Sequence, residues 1–233
     1  MKETPILFSS EMVHAILSGK KTQTRRMVVP GRGYQSTWLD VETINSSPRL
    51  YTCHTNPDRR FGAQMEHPRG GPLGWVASPF GQPGDRLWVR ETWQHSNHPL
   101  GPFDEDCTVF YRADYLDDPH GPDGEKSPEG KYRTWRPPIH MPRAAARITL
   151  DITAIRVERL QDIDDADALD EGASYRPAPN ELSHGGWTHD GWYVHDSARE
   201  SFRTLWNGLN AARGCGWDVN PWVWVIEFAR KTA

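Results

Sequence analysis

Only three of the 233 residues are cysteine, and Cys53, Cys107 and Cys215 are odd in number and far apart. A disulfide framework is therefore excluded as the basis of folding, and a reducing compartment fits. No apolar run approaches the ~18 residues of a membrane span. The opening stretch MKETPILFSS lacks the apolar core of a signal peptide. The expectation is a cytoplasmic protein without membrane contact. There is no Walker loop, no G-x-G-x-x-G and no G-x-S-x-G, so the phosphate-cradling loops and the nucleophile elbow are absent as motifs. Nor is there an excess of positive charge. The formal net charge is −4, so any contact with nucleic acid has to come from a local patch.

What is present suits one domain with a real core: 36% of the residues are hydrophobic and 25% charged. The 11 tryptophans are far above ordinary usage, and serve either as core or as platforms on which bases stack. Residues 4–8 read as a strand. A helix capped by Ser9 or Ser10 follows, with Val13, Ile16 and Leu17 on one face and Gly19 as its left-handed end. Residues 22–29 read as extended chain ending at Pro30. Further strands are expected over 85–93, 108–114, 145–159 and 221–229. Asp162 or Asp164 can cap a short helix ending near Gly172, and Ser197 with Glu200 forms a capping box for a helix presenting Phe202, Leu205, Trp206 and Leu209. Three stretches rich in glycine and proline, at about 31–84, 115–142 and 173–196, read as insertions in a single domain over 1–233. About six strands and three helices in mixed order define an α+β chain, a small, mostly antiparallel barrel with flanking helices.

The stretch ILSGKKTQTRRMVVP, residues 16–30, concentrates Lys20, Lys21, Arg25 and Arg26 just after the first helix. The negative end of the helix dipole accounts for the two lysines. It does not account for the arginines. Two readings stay open. One is a solvated or phosphate-binding basic patch. In the other, Lys21 loses its proton through burial and the neighbouring arginines, and activates the Thr24 hydroxyl as a nucleophile.

Two carboxylates stand out. Glu91 shares a strand face with Leu87 and Val89, so it is expected to be buried and to need a cation, for which Arg25 or Arg26 is available. Glu171 closes the short helix, as a solvent-facing residue or as part of a site. His184, His189 and His195 lie in a loop with Trp187, Trp192 and Tyr193. Their spacing fits no common zinc arrangement, and a mobile aromatic lid over 183–195 is the reading preferred to metal.

The stretch GKKTQTRR resembles the signature of the ASCH family, a branch of the PUA-like fold, written G-x-K-x-x-E-x-R. Gly19, Lys21 and Arg26 match, with Thr24 where many members carry Glu. The preceding helix, GDRLWVRETW, DIDDADALDEGA and NPWVWVIEF follow in the family's order. The resemblance spans both ends of the chain, skips the insertions, and in arrangement is nearest the longer members from phage and prophage genomes. It implies a PUA-like β-barrel with a cleft for RNA or a modified base. It also implies the chemistry of a subgroup that hydrolyses the amide of N4-acetylcytidine. In that subgroup a lysine is the base, a threonine the nucleophile and a glutamate the proton donor. Carried over, these are Lys21, Thr24 and Glu171, with Arg25, Arg26 and Glu91 binding the substrate and no cofactor or metal. The expected partner is a modified cytosine nucleoside or a single-stranded nucleic acid. Other members are RNA binders or ribonucleases, so a non-catalytic reader of RNA or modified bases and a nuclease remain as rivals.

Overall fold

The computed structural model describes residues 1–28, 49–55, 61–66, 72–97, 101–117, 134–178, 184–189 and 194–231. Among them are twelve strands and three α-helices, a mixed α+β architecture. The central sheet has five strands: β1 (Glu3–Leu7), β2 (Gln23–Met27), β6 (Arg86–Arg90), β9 (Thr149–Arg159) and β12 (Trp222–Arg230). Their order is β1-β6-β9-β12-β2. Only β1 and β6 run parallel; the other neighbours are antiparallel. Among the described residues the series is open, with β1 and β2 at its ends. Arg26 of β2 spans from one end to the other, donating from Nη2 to the Leu7 carbonyl at 2.6 Å.

β12 lies between β9 and β2 and is covered on both faces. Trp224, Ile226 and Phe228 point into the main core with Ile6, Leu87 and Leu150. Val223 and Val225 point into a second core with Leu160, Phe202 and Trp206. A strand buried on both faces reads as a near-continuous apolar run, which is what WVWVIEF is. Its pairing with β9 shifts register between Glu227 and Phe228; the extra residue is Thr153 on β9, a bulge that puts Ile152 on the core face with Ile155.

The three helices have the anticipated caps. Ser9 accepts from the Met12 amide to open α1 (Ser10–Leu17), and Gly19 beyond it has φ 74°. Asp164 accepts from Asp167 to open α2 (Asp165–Asp170), and Gly172 follows at φ 106°. Ser197 accepts from Glu200 to open α3 (Ala198–Asn210). On α3, Phe202 and Trp206 are buried, whereas Leu209 is exposed.

The first insertion is more ordered than its composition suggested. It holds an antiparallel meander of β3 (Arg49–Thr55), β4 (Phe61–Glu66) and β5 (Pro72–Ala77). Ala63 and Val76 enter the main core. A Cβ on Gly62 would collide with the Val76 carbonyl, so this glycine permits a close approach of two strands. The expected strand over 85–93 stops at Arg90. The chain resumes as β7 (Trp93–His95), which pairs with β8 (Val109–Tyr111) away from the central sheet. Trp93 thus packs in a small separate core with Met141 and Ala145 rather than beside Leu87 and Val89. In the third insertion β10 (Ser174–Arg176) pairs with β11 (Gly186–Thr188). Pro30, Gly191, Trp192 and Tyr193 lie outside the described residues.

Glu91 marks the break between β6 and β7. It is 1% exposed and takes a bidentate pair from Arg147, at 3.0 Å to Oε1 and 3.1 Å to Oε2. The expected cation is there, but it comes from Arg147 and not from Arg25 or Arg26. Arg147 also donates to Asp114 at 2.7 Å. Removing Glu91 strands one edge of a half-buried guanidinium, so Glu91→Ala is expected to cost about 2 kcal/mol. Asp114→Ala, at an exposed carboxylate, should cost less than half as much in the same urea titration. Burial raises the Glu91 carboxyl above its ordinary range, against the opposing pull of Arg147. The folded state therefore holds this proton more tightly than the unfolded state. The stability owed to it is largest below ~4.3 and is lost as pH rises through the raised value. The stability of wild type minus that of Glu91→Gln should fall across that window, and a difference that grew with pH would contradict the assignment.

Candidate functional site

Two helix C-termini meet at the start of β2. After α1 the chain turns through Gly19, and the amides of Lys20 and Lys21 both donate to the Ala15 carbonyl, at 2.9 and 3.0 Å. Lys21 forms an isolated antiparallel bridge with Glu171, the residue that ends α2, and the Thr22 amide donates to Asp170 at 2.8 Å. Lys21 and Glu171, 150 positions apart, are thereby brought into contact. Lys21 Nζ donates to the Glu171 carbonyl at 2.7 Å and to its carboxylate Oε2 at 2.6 Å. The two residues are 2% and 3% exposed. A carbonyl at a helix C-terminus and a carboxylate together give the cation a favourable end of a dipole and an opposite charge. Phe8 lies against the other side, with its ring centre 5.9 Å from Nζ.

β2 divides its side chains between two faces. Thr24 and Arg26, paired with Ile226 and Trp224, share the main-core face. Arg25, paired with Val225, lies on the other. Arg25 is buried, and its guanidinium reaches three carboxylates: Glu158, Asp167 at 2.8 Å and Glu171 Oε1 at 3.4 Å. Arg156 then joins Glu158 at 3.0 Å, Asp167 at 2.9 Å and Glu227. Lys21, Arg25 and Arg156 thus stand among four carboxylates, Glu158, Asp167, Glu171 and Glu227, so these basic side chains face acidic partners. Arg26 stacks on Phe8 at 5.1 Å, and burial lowers its affinity for its proton, against the pull of Glu171.

The structure thus joins Lys21 to Glu171 and ties Arg25 to the same carboxylate. Thr24 is buried three residues along; neither acceptor of Lys21 Nζ is its hydroxyl. Glu91, bound to Arg147, belongs to a different ion-pair group. Asp167, Glu158 and Arg156 complete the network although the sequence reading passed over them. The signal was there: Arg156 and Glu158 alternate on β9, the strand next to β12, and so project from one face.

Of the stretch expected as a lid, residues 183–195, the described residue His189 comes close to Glu171; residues 183 and 190–193 lie outside the described residues. His189, Met12, Ala15, Leu205 and Gly172 border a cavity of about 80 Å³ together with Glu171. His189 is held by Ser201, Nδ1 to Oγ at 2.7 Å, and packs on Phe202. His195 pairs through its backbone with Trp187. Among the described residues no three His, Cys, Asp or Glu side chains gather as a metal site. Comparison with protein-family models, with curated proteins and with solved structures returned no match.

Burial lowers the Lys21 proton affinity, and this outweighs the opposing charge and hydrogen bond of Glu171; Arg26 and Arg25 add to the lowering. The expected outcome is loss of the Nζ proton below the ordinary lysine value of about 10.4, read from the side-chain ¹⁵N shift across a pH series. Because the folded value is lowered, the associated stability is complete above ~10.4 and is lost as pH falls through the folded value. A Lys21 titration at or above ~10.4 would contradict this.

Proposed function

We propose that the chain is an ASCH-type protein of PUA-like fold, and a hydrolase that cleaves the amide of an N4-acylated cytosine. The observation that carries the reading is the buried Lys21–Glu171 contact, 2.6 Å between Nζ and Oε2. A neutral lysine amine has two N–H donors and one lone pair. The two acceptors found, the carbonyl and carboxylate of Glu171, engage both donors and leave the lone pair for a proton arriving from elsewhere. The lowered proton affinity of Lys21 supports the same role. The five-stranded sheet whose ends are linked through Arg26 and Leu7 supports a barrel-like frame.

In this reading the Thr24 hydroxyl attacks the acyl carbon and its proton passes to Lys21. The proton moves along the short contact to Glu171 and on to the cytosine N4 as the C–N bond breaks. Water then hydrolyses the acyl-threonine ester, releasing the carboxylic acid and restoring Thr24. For the attack, the Thr24 hydroxyl has to turn toward the Lys21 lone pair when substrate binds. Arg25 and Arg26 act through Glu171 and Phe8, holding the pair in place, rather than by gripping phosphate. Glu91 stays with Arg147, outside direct substrate contact.

The test is release of cytidine from N4-acetylcytidine and from N4-acylcytidines of larger acids. Lys21→Arg keeps the charge but removes the base, since arginine does not deprotonate; Thr24→Ala removes the nucleophile. Each is expected to lower turnover ~10³-fold or more while circular dichroism stays that of wild type. Turnover undiminished in Lys21→Arg would sink the mechanism. Binding without turnover by wild type would assign the site to a reader of modified bases.

A further inference from the structure

We propose that the chain carries a second small-molecule site, built around Arg136, for a flat ring bearing an oxyanion. It lies at the β7–β8 pair and is independent of the hydrolase reading.

Arg136 is fixed by its backbone. Its amide donates to the Trp93 carbonyl at 2.7 Å, and the Trp93 amide donates back at 3.2 Å. The guanidinium lies over the Trp93 ring at 4.9 Å, and Nη1 approaches His95 Nε2 at 2.7 Å. Arginine only donates, so His95 accepts there as a neutral ring. Arg136 has no carboxylate partner among the described residues. The neighbouring Arg147, by contrast, is held by both Glu91 and Asp114. A half-buried guanidinium without a counter-charge is the kind of group that recruits an anion.

The surroundings agree. Trp93, Phe103, Pro102, Arg136 and His140 border a cavity of about 420 Å³, within the range of small-ligand sites. Its walls combine rings and prolines with a cation and a histidine; among the described residues no acidic side chain lines it. Trp93 itself is 0% exposed, and its indole Nε1 is a buried donor without an acceptor. A cation without a counter-charge calls for an oxyanion. Phe103, edge-on to Trp93 at 5.4 Å, gives an apolar wall for a ring. A nucleotide base with its phosphate and an aromatic carboxylic acid share that chemistry.

The experiment is calorimetric titration of the full chain with cytidine 5′-monophosphate and with benzoate, with cytidine and inorganic phosphate as the part-ligands. The indole N–H resonance of Trp93 is followed by NMR in the same titrations. At least one of the two ring-bearing anions is expected to bind, to shift that resonance, and to bind about tenfold or more tightly than either part-ligand. Which of the two binds identifies the source. Arg136→Gln keeps an N–H donor for His95 but removes the charge, and is expected to weaken binding about tenfold or more. Lys21→Arg is expected to leave it unchanged. Failure of both anions to bind would overturn the proposal. So would equal binding by Arg136→Gln in a folded protein, or cytidine binding as tightly as its monophosphate.

Discussion

A lysine ammonium enclosed by protein has to be met by an acceptor of opposite charge or give up its proton. Lys21 is enclosed so completely that Glu171 becomes a structural necessity as well as a chemical partner. The carbonyl and the carboxylate of that one residue both turn to it, which fixes the end of α2 against the end of α1. Gly172, just beyond, sits so close that an added Cβ would lie 3.2 Å from the Ala15 side chain and 3.4 Å from that of Lys21. The close seam between the two helix ends depends on that glycine.

Around this seam the charges balance in layers. Arg25 reaches Glu171 from the opposite face of β2, and Arg156 shares Glu158 and Asp167 with it. Removal of Glu171 leaves the buried Lys21 and Arg25 short of a counter-charge, which is costlier than never having had the pair. The basic stretch is therefore best understood as the inner half of an internal network. Its outer half comes from β9, α2 and β12, more than a hundred residues later.

Much of this was legible in the chain. The caps Ser9, Asp164 and Ser197, the stop at Gly19 and the apolar run of β12 each follow from local chemistry, and each element stands where that chemistry puts it. The Lys21–Glu171 meeting was reachable only through a resemblance, because nothing local ties residues so far apart. The partner of Glu91 was misassigned for the same reason: burial dictates that a cation must come, not which one. The β3–β4–β5 meander escaped notice because short strands with interspersed glycine lack a clear period of two. The strand ends at Arg90, next to Glu91, whose partner Arg147 lies 56 positions away and was likewise out of reach of local reasoning.

The place of β2 in the sheet has a kinetic side. Its only sheet neighbour among the described residues is β12, so the segment bearing Thr24 and Arg25 waits for residues 222–230 before it has a ladder to join. Pairings that span nearly the whole chain are slow to form, because the loop must close before the contact returns any free energy. During synthesis the basic stretch emerges early; its carboxylates Glu158, Asp167 and Glu171 follow more than a hundred residues later, and the strand that β2 pairs with comes later still.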